Sequence, residues 1–436
     1  MKFPNFSDLD KDQVAVYGKA PTDGALLVIG PPGTGKTVMA FHRAQRLEGL
    51  GQSPTVIMYN KVLRRYSEAR DGVAPKVPVL TMHSWVARWW RKTGLGRAPS
   101  LPDDRWAHDW EEMLDRASSI DDPARLARLD WGHLVIDEGQ DFPEAMYFAM
   151  GRLMKLLQKK GREPRITVFA DDNQRLSADK NSSVKNISRH LGIARDKSRI
   201  LYLSKNYRNS REIALFSRYF QVARTSGASN LPDREGEKPS VGLFTSETEM
   251  FEFLARKIAL SPGKQIGVIV HGSSGDVKRT FNKLKSRVSD KFNTQYYTSA
   301  GGANLDEQLD FEAVDTITVV HERSAKGLEF DVVFYVGLEK SDIDGSGMMN
   351  ERMSAYVMST RARHELLVGL CGVSAEDALP SALAIMPKPT LKICRYDGHG
   401  KNKSQVEGIL GKVSWHEPPE DSPFWDGEDK CNPATA

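Results

Sequence analysis

ALLVIGPPGTGKT, Ala25 to Thr37, is an apolar, strand-like run that passes into a glycine-rich loop ending in a lysine and a hydroxyl. Its last eight residues, GPPGTGKT from Gly30 to Thr37, have the P-loop spacing and stand between an expected strand and an expected helix beginning at Lys36. That context separates a phosphate cradle from a chance glycine turn. Gly33 and Gly35 let backbone N–H groups turn inward around phosphate, and the helix N-terminus adds partial positive charge. Lys36 is expected to reach the β- and γ-phosphates, and Thr37 to offer its hydroxyl to Mg²⁺. Gly30, Pro31, Pro32, Gly33, Thr34, Gly35, Lys36, Thr37 and Val38 are therefore the expected nucleotide contacts.

Outward from this loop, apolar runs alternate with amphipathic stretches, the pattern of parallel sheets with crossover helices. A first series of strands is expected at 25–30, 55–59, 78–80, 133–137 and 166–170, with helices from Lys36, from Lys61 and over 144–160. A second series follows at 240–244, 265–270, 294–297, 315–320, 331–337 and 365–370, with helices near 247–259, 276–288 and 350–360. Two α/β domains result, 1–205 and 206–395. Trp-rich, charged sequence over 85–132 interrupts the first and reads as a small helical insert. From 396 to 436 the chain is rich in Gly, Pro and acidic residues, as in a loosely packed tail.

VIDEGQD, Val135 to Asp141, is the second chemical signal. Asp137 closes an apolar run about a hundred residues after the P-loop, at the sheet edge where such folds bind ligands. It is expected to hold Mg²⁺, and Glu138 to polarise the attacking water as general base. The competing reading, a solvated turn with two adjacent acids, does not account for its position after a P-loop.

Composition sets wide bounds. The chain has 436 residues, 40% hydrophobic and 27% charged, with a net charge of +4. That is ordinary globular composition, and the charge is compatible with a nucleic-acid partner without demanding one. No apolar run approaches the ~20 residues a membrane span needs. The first residues lack the apolar core of a signal peptide, so a cytoplasmic location is expected. Cys371, Cys394 and Cys431 lie too far apart for a zinc motif or a disulfide framework. Basic clusters at Lys61-Arg64-Arg65, Arg88-Arg91-Lys92 and Lys278–Arg287 read as solvated helix faces or as phosphate contacts.

Several further segments, taken in order, resemble the superfamily 1 DNA helicases of the UvrD/Rep type from about residue 9 to 372. Gln13 is similar to that family's adenine-reading glutamine. VIMYNK (56–61) and TMHSW (81–85) resemble its two strand-contacting segments, which puts Tyr59, Asn60, Lys61, His83, Ser84 and Trp85 on the nucleic acid. FADDNQ (169–174) resembles the third motif, with Gln174 as γ-phosphate sensor. NYRNS (206–210) resembles the motif whose tyrosine stacks on adenine and whose arginine contacts the γ-phosphate, here Tyr207 and Arg208. In HERSAKGLEFD (321–331), Glu329 would bind the ribose, Gly327 lie beside phosphate, and His321 and Ser324 face the strand. YVMSTRAR (356–363) resembles the last motif, with Arg361 as a second arginine finger. Lys36, Asp137, Glu138, Gln174, Arg208 and Arg361 are the catalytic set so implied. The resemblance implies two RecA-like P-loop domains, ATP and Mg²⁺ in the cleft between them, and 3′→5′ movement on single-stranded or tailed DNA.

The chain departs from that pattern in three places. No aromatic follows the third motif before Tyr202, where many relatives carry base-stacking rings. His321 is two residues farther from KGLEF than is usual. The accessory inserts are short: roughly fifty residues separate TMHSW from DEGQD. Tyr59, His83, Trp85, Trp89 and Trp90 are the candidate replacements for the missing rings, with core packing as the competing reading of the tryptophans. The short inserts leave two functions open. One is a translocase or helicase; the other is an ATP-driven nucleic-acid sensor that switches a partner such as a nuclease in an anti-phage system.

Overall fold

In the computed structural model, two fully parallel sheets carry the alternation, one in each of two units, Met1–Ser204 and Lys205–Ala436. The structure describes residues 6–58, 77–174, 181–221, 230–298, 309–311, 313–341, 347–372, 381–386 and 392–396. The expected helix from Lys61 and the tail beyond 396 lie outside these residues.

The first unit contains β1 (Ala25–Ile29), β2 (Pro54–Met58), β3 (Val79–Thr81), β4 (His133–Ile136), β5 (Arg165–Ala170) and β6 (Ile200–Tyr202), in the order β3-β2-β4-β5-β1-β6. Every residue of β1 and β4 is buried, because helices cover both faces of a parallel sheet. The P-loop leaves the C-terminal end of β1, Asp137 follows β4 and Asp171 follows β5, so adjacent strands deliver all three to one edge. β6 was not among the expected strands. It is a three-residue edge strand, Ile-Leu-Tyr, with a single partner, and it is only partly buried.

The helical insert consists of Met82–Thr93, Trp110–Ser118 and Pro123–Ala127. It begins earlier than expected because the Thr81 side chain caps the Ser84 backbone N–H. Trp85 stacks on Trp89 at 4.9 Å between ring centres, and Trp89 meets Trp90 and Trp131 edge-on. The Trp89 indole N–H donates to the Leu129 carbonyl at 2.9 Å. These rings pack into the same core as β1, β4 and β5.

The second unit contains β7 (Ser240–Phe244), β8 (Gln265–Val270), β9 (Asn293–Tyr297), β10 (Thr316–His321), β11 (Phe330–Val336), β12 (Ala362–Leu370) and β13 (Lys392–Tyr396). Their order is β13-β7-β12-β11-β8-β10-β9. Asp315, expected to open a strand, has φ +57, so β10 starts one residue later. β13, also unexpected, pairs with β7 at the sheet edge. The core gathers Phe244, Leu254, Val268, Val319, Phe334 and Leu367 beneath the helices Glu247–Ala259 and Ser274–Lys285.

Candidate nucleotide site

The P-loop is wound around its own lysine. Lys36 is 5% exposed, and its Nζ donates to the carbonyls of Gly30 at 2.7 Å and Pro31 at 3.3 Å, with Asp171 Oδ2 3.9 Å away. The Thr34 hydroxyl closes the turn on the Pro31 carbonyl at 2.8 Å. Gly33 and Gly35 have φ of +80° and +84°, the left-handed region that a side chain resists. A Cβ at Gly35 would also approach Gln13 Nε2 to 3.0 Å. Pro31 and Pro32 are buried, and Val38 is half-buried in the first turn of the helix Lys36–Gly49.

Gln13 lies against this loop. It sits in a short helix, Lys11–Val14, whose Asp10 cap accepts the Gln13 backbone N–H at 2.8 Å. Its carboxamide N–H donates to the Thr34 carbonyl at 3.4 Å, and its oxygen accepts from the Asp10 backbone at 3.3 Å. The sequence-predicted base reader is thus beside the loop, with its hydrogen-bonding groups engaged locally.

At the metal position the Thr37 hydroxyl donates to Asp137 Oδ2 at 2.7 Å. Asp137 is fully buried, and its Oδ1 has no hydrogen-bond partner. Burial, then the neighbouring Glu138 charge, pushes its carboxyl up to about 7, against the weaker pull of Thr37 and Lys36. A buried acceptor left bare beside a hydroxyl fits a small oxygen-seeking cation. Among the described residues no cluster of three or more His, Cys, Asp or Glu could hold a metal unaided. Mg²⁺ takes one or two protein oxygens and completes its shell with phosphate and water.

Glu138 occupies a left-handed backbone conformation, φ +52°, rare for a residue with a side chain and of the kind that collects at active sites. The turn lets Gly139 pass close to β5, where a Cβ would strike Val168. Gln140 then spans two segments. Its Nε2 donates to Glu138 Oε2 at 2.6 Å, and its Oε1 accepts the Asp171 backbone N–H at 2.9 Å. Gln174 Nε2 donates to Asp171 Oδ2 at 2.9 Å, so the expected sensor joins the same network. Burial raises the Asp171 carboxyl despite the opposing pull of Lys36. The sequence reading gave Asp171 no role; its place at the end of β5, inside FADDNQ, was the available signal.

The second unit has its own cluster. Asn206 Oδ1 accepts the backbone N–H groups of Arg208 and Asn209, which fixes the turn after Lys205. Arg208 Nε donates to Glu329 Oε2 at 2.7 Å, and Arg363 Nη2 to Glu329 Oε1 at 2.8 Å. Gly327, φ +84°, shapes the turn just before Glu329. Tyr207 is 41% exposed, with the Lys205 ammonium 5.3 Å from its ring centre. Arg361 is 1% exposed and donates to the backbone carbonyls of Val357 and Leu328 and to the Thr360 hydroxyl. Arg363, two residues beyond Arg361 in the same segment, was not predicted, yet it is the second guanidinium on Glu329.

The sequence-predicted strand contacts fare unevenly. Tyr59, Asn60 and Lys61 lie outside the described residues. His83 is exposed and Ser84 half-buried, both in the first turn of Met82–Thr93. Trp85 is a correction: 4% exposed and stacked on Trp89, it is a core residue and has no face open to a base. His321 caps the helix Glu322–Ala325, accepting from the Arg323 backbone N–H at 3.1 Å, while its Nε2 lies 2.8 Å from the Gly272 carbonyl. Ser324 is half-buried in that helix.

Comparison with known proteins agrees with the first unit's geometry. The profile of a family described as "AAA domain" matches residues 12–180. No curated protein matches the chain. Among solved structures, the C-terminal domain of a possible DNA helicase from Lactobacillus plantarum is similar at 20% identity. The match covers 43% of this chain and 97% of that one, with a TM-score of 0.31, too low to bear on function. Fold, loop and carboxylate pair together define a P-loop NTPase. No described helix is long and apolar enough to cross a membrane.

Proposed function

We propose that the chain is an ATP-dependent translocase or helicase of the UvrD/Rep type, acting 3′→5′ on single-stranded or tailed DNA. The observation that carries this reading is the hydrogen-bonded path from Glu138 through Gln140 to Asp171 and Gln174. A site built only to bind nucleotide has no need to tie its general base to a second segment. A motor does, because phosphate loss must be felt elsewhere.

In this reading Glu138 accepts the proton of the attacking water, held in place by Gln140. Lys36 exchanges its loop carbonyls for phosphate oxygens. Thr37 and Asp137 would hold Mg²⁺, whose charge offsets that of the phosphates. Arg208, Arg361, Tyr207, Gly327 and Glu329 serve the same nucleotide, an assignment supported by the order of motifs along the sequence. The Arg208–Glu329 pair would separate when the ribose and γ-phosphate take its two members.

The test is strand displacement from duplexes with a 3′ or a 5′ tail, with Lys36→Ala as control. The reading expects ATP-dependent displacement from the 3′-tailed substrate alone. ATP turnover without displacement from either would favour the sensor reading, to which the short insert of three helices lends support.

A further inference from the structure

Five of the six tryptophans among the described residues are buried: Trp85, Trp89, Trp90, Trp110 and Trp131. The sixth, Trp106, is 70% exposed, more than any other large aromatic described. It is not on a loose loop. Ser100 and His108 form an antiparallel bridge, and the Leu101 N–H donates to the Ala107 carbonyl at 3.0 Å. At the tip, Asp104 Oδ1 accepts the Trp106 N–H and the Asp104 carbonyl accepts the Ala107 N–H, each at 3.0 Å. The Arg105 guanidinium lies 5.2 Å from the indole centre. This hairpin holds out an aromatic face with a cation beside it, at little further ordering cost on binding.

The hairpin is joined to the helix whose first turn carries His83 and Ser84. His83 Nδ1 and His108 Nε2 are 3.2 Å apart, their rings tilted at 48°. From that turn the helix presents His83, Arg88, Arg91 and Lys92 to solvent, and Arg97 follows, also exposed. The hairpin that holds out the ring thus meets the first turn of a helix with exposed basic residues, and a single strand can use both: cations track the phosphates while a base stacks on the aromatic.

We infer that Trp106 is a base-stacking residue for a DNA single strand running along the His83–Lys92 helix face. This supplies, from the insert, the ring missing after the third motif, and it rests on the proposed action on single-stranded DNA. Binding should be measured with an oligothymidylate and with an abasic deoxyribose-phosphate strand of equal length. Trp106→Ala should weaken the oligothymidylate complex roughly five- to hundredfold, leave the abasic complex in place, and be largely rescued by Trp106→Phe. Equal binding of oligothymidylate by wild type and Trp106→Ala overturns the inference alone. So does an equal loss on both strands, which would mean a disturbed surface. A wild-type protein that binds neither strand overturns the proposed function with it.

Discussion

Replacing Asp137 by Asn should stabilise the nucleotide-free protein at alkaline pH while removing its Mg²⁺ site. Between pH 4 and about 7 the folded protein keeps the Asp137 proton and the unfolded chain does not, so stability falls as pH rises and then levels off. A carboxyl held at about 7 against an ordinary 3.8 corresponds to a penalty of about 4 kcal/mol at pH 8 and about 2 kcal/mol near pH 5. Asn keeps an oxygen for the Thr37 hydroxyl but puts an unpartnered amide where Oδ1 lies bare, at a cost of about 1–3 kcal/mol. The net gain is then about 1–3 kcal/mol at pH 8, and it disappears or reverses near pH 5. For a unit of this size that is a rise of roughly 2–12 °C in the first unit's transition at pH 8. The assay is thermal unfolding of both proteins in EDTA across pH 5 to 8, followed by a fluorescence signal from the insert tryptophans. A difference between the two that does not change with pH would show that Asp137 is not held protonated, and would undo the electrostatic account of the metal position.

Two other outcomes follow from the packing. Trp85→Ala should cost about 3–5 kcal/mol and lower the first unit's unfolding temperature, because Trp85 is core; an unchanged temperature with weakened DNA binding would restore it as a strand contact. His271 bonds Glu322 at 2.9 Å, and Ser341 Oγ lies 3.2 Å from its other nitrogen. Burial opposes its charge, but the Glu322 bond and the charges of Glu322, Glu351 and Glu339 outweigh burial and hold it above its ordinary value. Its stabilising effect is complete below about pH 6.5 and is lost as pH rises through the folded value. His271→Gln should therefore destabilise the second unit by about 1.5–3 kcal/mol at pH 6 and by less at pH 9, read by thermal unfolding at both. An equal loss at both pH values would contradict a charged His271.

Most of the fold was legible because parallel strands buried on both faces appear as unbroken apolar runs. ALLVI and HLVI needed no partner information to be found. β6 and β13 were not identified from the sequence; their pairing partners, β1 and β7, lie far along the chain. At the site, residue types at fixed spacing gave Lys36, Thr37, Asp137 and Glu138, since the chemistry constrains them locally. The family resemblance already implied that Gln140 and Asp141 couple the ATP site to other segments, but the particular partner of Gln140, Asp171, and the place of Arg363 on Glu329 depend on which strand ends lie side by side. The tryptophans misled for a related reason. A Trp-rich stretch does not say which ring faces out, and Trp85 went to the core while Trp106 stayed exposed.

The central claim, that this site turns over ATP in response to a DNA single strand, is tested most directly by one titration. Steady-state ATP hydrolysis by the purified chain and by Glu138→Gln should be followed against increasing single-stranded oligodeoxynucleotide. A general base contributes about 10²–10⁴ in rate. Wild type should therefore be stimulated by the strand, while Glu138→Gln falls at least a hundredfold and still binds ATP. A variant that hydrolyses at the wild-type rate, or a wild type indifferent to the strand, would contradict the account.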